Sequence, residues 1–333
     1  MNKPIAVLIS DVHYNLQTLQ LADKAMRMAI DKANSLNVSL IVAGDLHDTK
    51  ANLRGECVNA MLETFKQADI PPYVIVGNHD KINEKSIDHS LNFLSKYCDI
   101  VDTKRYDADS NIHLFPYFSS QEDFNRHRSS IPFGETIICH QGLSGSNMGD
   151  YIQDKTAIIS NDVAGLRVIS GHYHNRQTID LPNGGKWDYI GNPYTLSFGE
   201  ASDPEKGFQI LYDDGSLKFV PTNLRRHIVV EESASVILDS PKEAYRGLCD
   251  KDDSVWFKIT GNKDRFKLIT REFLSNRISS KNIKLTYEGK TEAKVFQHKN
   301  LTQNQILDNI INNLNESNEK KAILSQLWKQ LCE

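Results

Sequence analysis

Residue types that hold metals or move protons cluster in five short segments of this sequence. Asp11 and His13 form a D-x-H pair, and Asp45 and Asp48 form G-D-x-x-D. Asn78 and His79 lie in Gly77-Asn78-His79-Asp80. His140 stands alone, and His172 and His174 form G-H-x-H. Seven of them (Asp11, His13, Asp45, Asn78, His140, His172 and His174) are oxygen or imidazole donors, and none is a thiolate. That set suits Mn²⁺, Fe²⁺ or Zn²⁺ and does not suit a structural Cys₄ zinc site. Seven donors are too many for one ion with an open position. They fit two ions about 3.5–4 Å apart that share one carboxylate. Two such cations would neutralise charge on a bound anion and lower the pKa of water toward ~7. A single segment of this kind is ordinarily a turn or a cap. Five in this order, each after an apolar run, are not.

The apolar runs are the elements that must position these groups. Residues 5–9, 40–43 and 73–76 read as strands, with apolar residues at helical spacing over 17–34 and at Val58, Met61, Leu62 and Phe65 between them. This β-α-β-α-β pattern predicts parallel strands with crossover helices. Further strands are expected at 136–139, 167–170 and 187–190, and a hairpin at 208–212 and 217–220. The candidate ligands follow the strand ends, where ligands bind in open α/β sheets. Gly or Ser lies beside them at Ser10, Gly44, Gly77 and Gly171, which lets the backbone turn sharply and approach closely.

The chain has 333 residues, 39% hydrophobic and 25% charged, enough for a large core and unlike a disordered chain. No apolar stretch reaches the ~18 residues of a membrane span, and no signal peptide is expected at the start. The five cysteines are scattered, with no CxxC pair, so reduced thiols in the cytoplasm (host cytoplasm for a phage-encoded chain) are expected. Net charge is −4, which argues against binding nucleic acid through bulk positive charge. Residues 250–290 are the exception, with ten Lys/Arg against six Asp/Glu. Gly289-Lys290-Thr291 lacks the earlier glycine of a P-loop, so no nucleotide site is expected.

The order D-x-H, G-D-x-x-D, G-N-H-D, His and G-H-x-H resembles the calcineurin-like metallophosphoesterase family over about residues 5–221. Residues 75–80, 189–200 and Lys206-Gly207-Phe208 resemble, more narrowly, its SbcD-type DNA repair nuclease subunits and the phage recombination endonuclease subunits of the same group. The resemblance implies an α/β fold, a four-layer β-sandwich flanked by helices, with a small α/β capping domain and a C-terminal helical hairpin. By the same resemblance Asp11, His13, Asp45 and His174 hold one metal, and Asp45, Asn78, His140 and His172 hold a second. The metals are expected to be Mn²⁺. His79 is implied as the catalytic histidine beside the leaving oxygen, and Asp48 as a residue that orients substrate. His47 stands where relatives usually carry an apolar residue. It is read as a surface variation, the alternative being a third imidazole near the mouth. His89, His113, His127, His227 and His298 have no partner at ligand spacing and are expected in surface or loop roles. Cys139 is expected to be a buried strand residue.

Three regions are expected: 1–227 as the nuclease domain, 228–291 as a capping and DNA-binding domain, and 292–333 as a linker and helical hairpin. In the capping region strands are expected near 255–260 and 284–287, with a helix over 264–279, and Lys263, Arg265 and Lys267 as candidate phosphate contacts. Ile306, Leu307, Ile310, Ile311 and Leu314 form one apolar stripe, and Ile323, Leu324, Leu327, Trp328 and Leu331 another. By resemblance the hairpin grips the coiled coil of an SbcC-type ATPase. A homodimer within a heterotetramer is also implied, with 53–65 and 88–94 as candidate faces. The expected activity is a Mn²⁺-dependent DNA exonuclease and endonuclease acting in repair and recombination. The alternatives are a phosphoesterase for a phosphoprotein or small phosphate ester, and a non-catalytic scaffold that recruits the ATPase to DNA.

Overall fold

A computed structural model describes residues 2–50, 52–83, 87–147, 157–203, 205–289 and 320–321. The linker and both apolar stripes of the expected hairpin lie outside the described residues.

The first four strands are β1 (Pro4–Ile9), β2 (Ser39–Ala43), β3 (Tyr73–Ile75) and β4 (Asp99–Val101), each parallel to the next. Helices α1 (Leu19–Leu36) and α2 (Gly55–Phe65) make the first two crossovers. The next six strands build a second sheet: β5 (Arg105–Asp107), β6 (Ile112–Leu114), β7 (Thr136–Cys139), β8 (Arg167–Ser170), β9 (Gln177–Asp180) and β10 (Lys186–Tyr189). Helix α3 (Gln121–Arg128) lies between β6 and β7 in the chain. The chain then returns to the first sheet as a hairpin, β11 (Gly207–Tyr212) and β12 (Leu217–Pro221), with β11 antiparallel to β1. The sheet orders are β12-β11-β1-β2-β3-β4 and β5-β6-β7-β8-β10-β9.

The alternation of side chains along each strand explains the layers. Val7 and Ile9, Leu40 and Val42, and Val74 and Val76 pack with Ala22, Met26, Ala29 and Ile30 of α1 and Met61 and Phe65 of α2. The intervening Ala6, Leu8, Ile41, Ala43 and Ile75 face Leu114, Ile138, Ile169 and Ile190 of the other sheet. That sheet's far side holds Ile137, Cys139, Val168, Trp187 and Tyr189 against Phe115 and Phe124. Strands buried on both faces need continuous apolar runs, as parallel strands do. The result is a mixed α/β sandwich flanked by helices, in the expected four layers. Within the segments 53–65 and 88–94, Met61, Phe65, Leu91 and Leu94 are fully buried in the chain's own core.

The remaining strands, β13 (His227–Ser233), β14 (Ser254–Gly261) and β15 (Asn282–Gly289), form a separate parallel sheet. One face packs on α4 (Ala234–Asp239), α5 (Lys263–Phe266) and α6 (Arg271–Ser275) through Ile237, Val255, Phe257, Ile259, Phe266 and Leu274. The single helix expected over 264–279 is instead two short turns. Thr270 breaks it, because its side chain caps α6 by accepting from the Phe273 N–H. Strand β13 carries no alternation that the sequence pattern isolates, and the three-residue strands β4, β5 and β6 are too short to show a period.

Ile169 lies between the two large sheets with no exposure. Ile169→Ala is expected to lower stability by about 2–5 kcal/mol in urea unfolding, through lost burial and a cavity between sheets that cannot close up.

Candidate metal centre

All seven expected ligands converge at the strand ends. Asp11 and His13 follow β1, Asp45 follows β2 and Asn78 follows β3. His140 follows β7, and His172 and His174 follow β8. Asp11, His13 and His174 each offer an atom within 4.8 Å of the others, and so do Asp45, His140 and His172. The Asn78 Oδ1 joins the second group, 3.1 Å from His140 Nε2 and 3.0 Å from His172 Nδ1. The Asp45 Oδ2 lies between the groups, 3.1 Å from His140 Nε2 and 4.0 Å from His13 Nε2. His13, Asp48 and His79 form a third cluster beside the first.

The backbone is bent to achieve this. Asp11, His13, Asp45 and His172 have φ of 52°, 51°, 49° and 86°, in the left-handed region that non-glycine residues seldom adopt. Such conformations cost of order 1–3 kcal/mol each and persist where the surroundings hold them. The loops hold one another through backbone bonds: Asp11 N–H donates to Gly44 O at 3.1 Å, and His13 N–H to Asp45 O at 3.1 Å. Gly77 is required by close approach, since a Cβ there would lie 2.2 Å from Asp45 Oδ1.

Asp11, His140 and His174 are each oriented by a partner behind them. His140 Nδ1 donates to Ala43 O at 2.8 Å, which turns Nε2 toward Asp45. The His172 N–H donates to both Asp11 oxygens, at 3.2 and 3.1 Å. His174 Nδ1 meets Glu200 Oε1 at 2.9 Å. Glu200 in turn accepts from Asn192 Nδ2 at 2.9 Å and the Leu196 N–H at 3.1 Å, and Lys206 Nζ lies 3.8 Å away. Burial opposes ionisation of Glu200, but His174 and Lys206 outweigh it and hold its carboxyl at about 2. The 189–206 segment, noted from sequence only for its resemblance, is therefore the brace of His174. Glu200 was legible as a motif letter without a role, and the same holds for Asp80. The buried Asp80 carboxylate accepts from the Gly77 N–H at 2.8 Å and the His47 N–H at 3.2 Å, tying two ligand loops together.

The charges fit a cation site. Burial disfavours charge on His140, but Asp45 and Asp11 overcome it and raise its pKa to about 9. Asp45 is driven the other way: burial opposes its charge, and His140, His13 and His79 hold it ionised. His13 Nε2 and His174 Nε2 face each other at 3.1 Å, beside carboxylates. Imidazole lone pairs and carboxylate oxygens aimed at common points are what divalent ions require. The residues present therefore fit such ions.

Most of the other histidines are more buried than expected, although His89 lies in a loop as expected. His47 is buried, not a surface variation, and its Nε2 bonds to Ser90 Oγ. Burial lowers its pKa to about 4, so the ring is neutral at neutral pH. His89, His113 and His227 are also buried, pairing with the Leu91 N–H, Glu135 and Thr195. His127 is half-buried and stacks on Phe118. A histidine with no sequence neighbour at ligand spacing still finds a tertiary partner, which spacing does not reveal. His298 lies outside the described residues. Cys139 is buried as expected, with burial pushing its thiol up to about 12.

Paired sheets with imidazoles and carboxylates at their ends define a metal-binding hydrolase. A model of the family described as calcineurin-like phosphoesterase matches residues 6–187, more than half the chain, and the chain belongs to that family. A protein of Invertebrate iridescent virus 6, named "Putative phosphoesterase 244L", is 23% identical over 287 residues, covering 80% of this chain and 93% of that protein. Exonuclease subunit 1 of Enterobacteria phage T4 is 26% identical over 201 residues, covering 55% of this chain and 56% of that protein. Among solved structures, a dimetal phosphatase from Danio rerio is 13% identical with a TM-score of 0.38, covering 63% of this chain and 93% of that one. Among the described residues no helix is long and apolar enough to cross a membrane.

Gly77→Ala is expected to weaken metal affinity by about tenfold or more, read by titration, because the new methyl displaces Asp45. Binding metal must also displace the His140 proton. Calorimetric Mn²⁺ titration near neutral pH, in buffers of differing ionisation enthalpy, is expected to show proton release. In metal-free protein the raised His140 pKa contributes stability in full below about 6.5, and that contribution is lost as pH rises through about 9.

Proposed function

We propose that this chain is the nuclease subunit of a DNA repair and recombination complex. It would cut DNA as a Mn²⁺-dependent exonuclease and endonuclease. The observation that carries this reading is the 189–206 segment. It resembles SbcD-type nuclease subunits in sequence, and in the structure it braces a candidate ligand through Glu200. The same segment meets the three-stranded sheet, with Phe198 5.5 Å from Trp256 and 4.8 Å from His227 between ring centroids. A phosphoesterase for small esters needs no such junction. The T4 relative bears the name of an exonuclease subunit and supports the same direction.

Asp11, His13, Asp45 and His174 would hold one divalent metal and Asp45, Asn78, His140 and His172 a second, which when bound would supply charge neutralisation for the phosphodiester and a more acidic water. The chain's own residues do the rest. The His79 N–H is held by Asp45 Oδ1 at 2.8 Å. His79 Nδ1 lies 2.6 Å from Asp48 O, and a carbonyl only accepts, so Nδ1 carries a proton. Nε2 is then the nitrogen from which the imidazolium form of His79 would hand its second proton to the leaving oxygen, leaving the neutral Nδ1–H ring. The Asp48 carboxylate faces His13 Nδ1 at 3.4 Å and accepts from Asn15 Nδ2 at 3.2 Å, at the side of the site that substrate would meet. An SbcC-type ATPase would supply ATP-driven gating, and the 292–333 region would hold it. Net positive charge over 250–290 would meet phosphates.

The test is cleavage of linear duplex and single-stranded DNA with Mn²⁺, Mg²⁺ or EDTA, with and without the ATPase. Cleavage with Mn²⁺, abolished by EDTA and reduced at least about a hundredfold in Asp45→Asn, is expected. Hydrolysis of small phosphate esters with intact DNA would instead assign the phosphoesterase reading. Failure on both, with metal bound, would leave the scaffold reading.

A further inference from the structure

His47 lies in the 45–48 loop between two of the expected site residues, Asp45 and Asp48. Its relative exposure is 1%, and its neighbours on either side are Leu46 and Asp48. The ring's Nε2 meets Ser90 Oγ. Ser90 Oγ in turn lies 3.0 Å from Asp80 O, as does the Ser90 N–H at 2.9 Å. A carbonyl only accepts, so the serine hydroxyl donates to Asp80 O and accepts from His47 Nε2–H. The direction of the chain is thus fixed: His47 to Ser90 to Asp80. The His47 backbone N–H donates separately to the Asp80 carboxylate.

His47 therefore joins the 45–48 loop to the 77–80 loop twice, once by its backbone and once by its ring. The second loop carries His79. The first supplies Asp48 O, which accepts from His79 Nδ1. An apolar residue at position 47 would keep the backbone bond and lose the ring's. We infer that His47, acting through Ser90, is a positioning residue that fixes the carbonyl of Asp48 against His79 and so aims the His79 Nε2 at the leaving oxygen. The inference rests on the reading of His79 as the proton donor. A misplacement of about 1 Å can cost two orders of magnitude in rate, so a second tie between the loops matters.

A proton donor matters only for leaving groups that need the proton, which gives a test that general damage does not mimic. The full-length protein loaded with Mn²⁺ is assayed on methyl p-nitrophenyl phosphate, whose anion leaves unaided, and on methyl phenyl phosphate, whose leaving oxygen needs the proton. Wild type is compared with Ser90→Ala, His47→Leu, His47→Gln and His79→Ala, with metal content measured for each. Ser90→Ala and His47→Leu are expected to lose roughly 10- to 100-fold on the phenyl ester and about twofold or less on the nitrophenyl ester. His47→Gln, which retains an N–H donor of similar reach, is expected to recover most of the loss. In metal-free wild type, ¹⁵N shifts of the imidazoles are expected to show His47 with a proton on Nε2, the nitrogen that meets Ser90 Oγ. Equal losses on both esters, no loss, or the Nδ1–H tautomer at His47 would overturn the role of His47. A steep leaving-group response in His79→Ala with a flat one in Ser90→Ala and His47→Leu would overturn it alone. A flat response in His79→Ala would overturn the proton-donor reading and His47's role with it.

Discussion

Asp45 carries a negative charge where water does not reach it, and the surrounding structure is shaped by that charge. A buried carboxylate without partners would take up a proton, because desolvation penalises its charged form. Here His140 Nε2 at 3.1 Å and the His79 N–H at 2.8 Å keep it ionised. Those partners come from different strand ends in different sheets, so the carboxylate is satisfied only when the two sheets are stacked in register. The inter-sheet layer of Leu8, Ile41, Ile75, Ile138 and Ile169 sets that register. Packing thus brings the charges together, and divalent metal would replace protons in balancing them.

The groups behind the ligands do most of the aligning. Glu200 orders His174, Ala43 O orders His140, and the Asp80 carboxylate spans the loops that carry Asp45 and Asn78. Burial and the nearby Asp45 charge raise the Asp80 pKa to about 6, so its two backbone N–H bonds are needed to keep it an acceptor. Ser10 Oγ donates to Gly191 O at 3.0 Å, which fastens the start of the bracing segment to the loop of Asp11. Four ligand backbones with positive φ are tolerated because neighbouring loops pin them from both sides.

The sequence made the ligands legible because metal donors are scarce residue types and each follows an apolar run. The central strands were legible for the same reason, since burial on both faces leaves no polar interruption. The braces were not legible. Glu200 lies 26 residues from His174 and Asp80 lies 33 from His47, and no periodicity links such pairs. The buried histidines were misread for an allied cause: His113 meets Glu135 and His227 meets Thr195 only after folding. The split of the helix expected over 264–279 had a local signal, the Thr270 cap, which apolar spacing outweighed.

The segment after β10 joins two requirements that are usually separate. Thr195 Oγ1 accepts from the His227 N–H at 2.9 Å, and Arg225 Nη2 reaches Thr195 O at 3.5 Å, at the start of the three-stranded sheet. Three residues on, Phe198 packs on His227 and Trp256 of that sheet. Two residues further, Glu200 holds His174. A tilt of the small sheet therefore pulls on the same stretch, residues 195–200, that sets the direction of a candidate ligand. Lys206, bonded to His174 O at 2.9 Å and to Asp203 at 2.8 Å, resists that pull from the other side. The geometry of the metal centre and the seating of the small sheet are, for this reason, one mechanical problem, and the resemblance noted in residues 189–206 is carried by the residues that solve it.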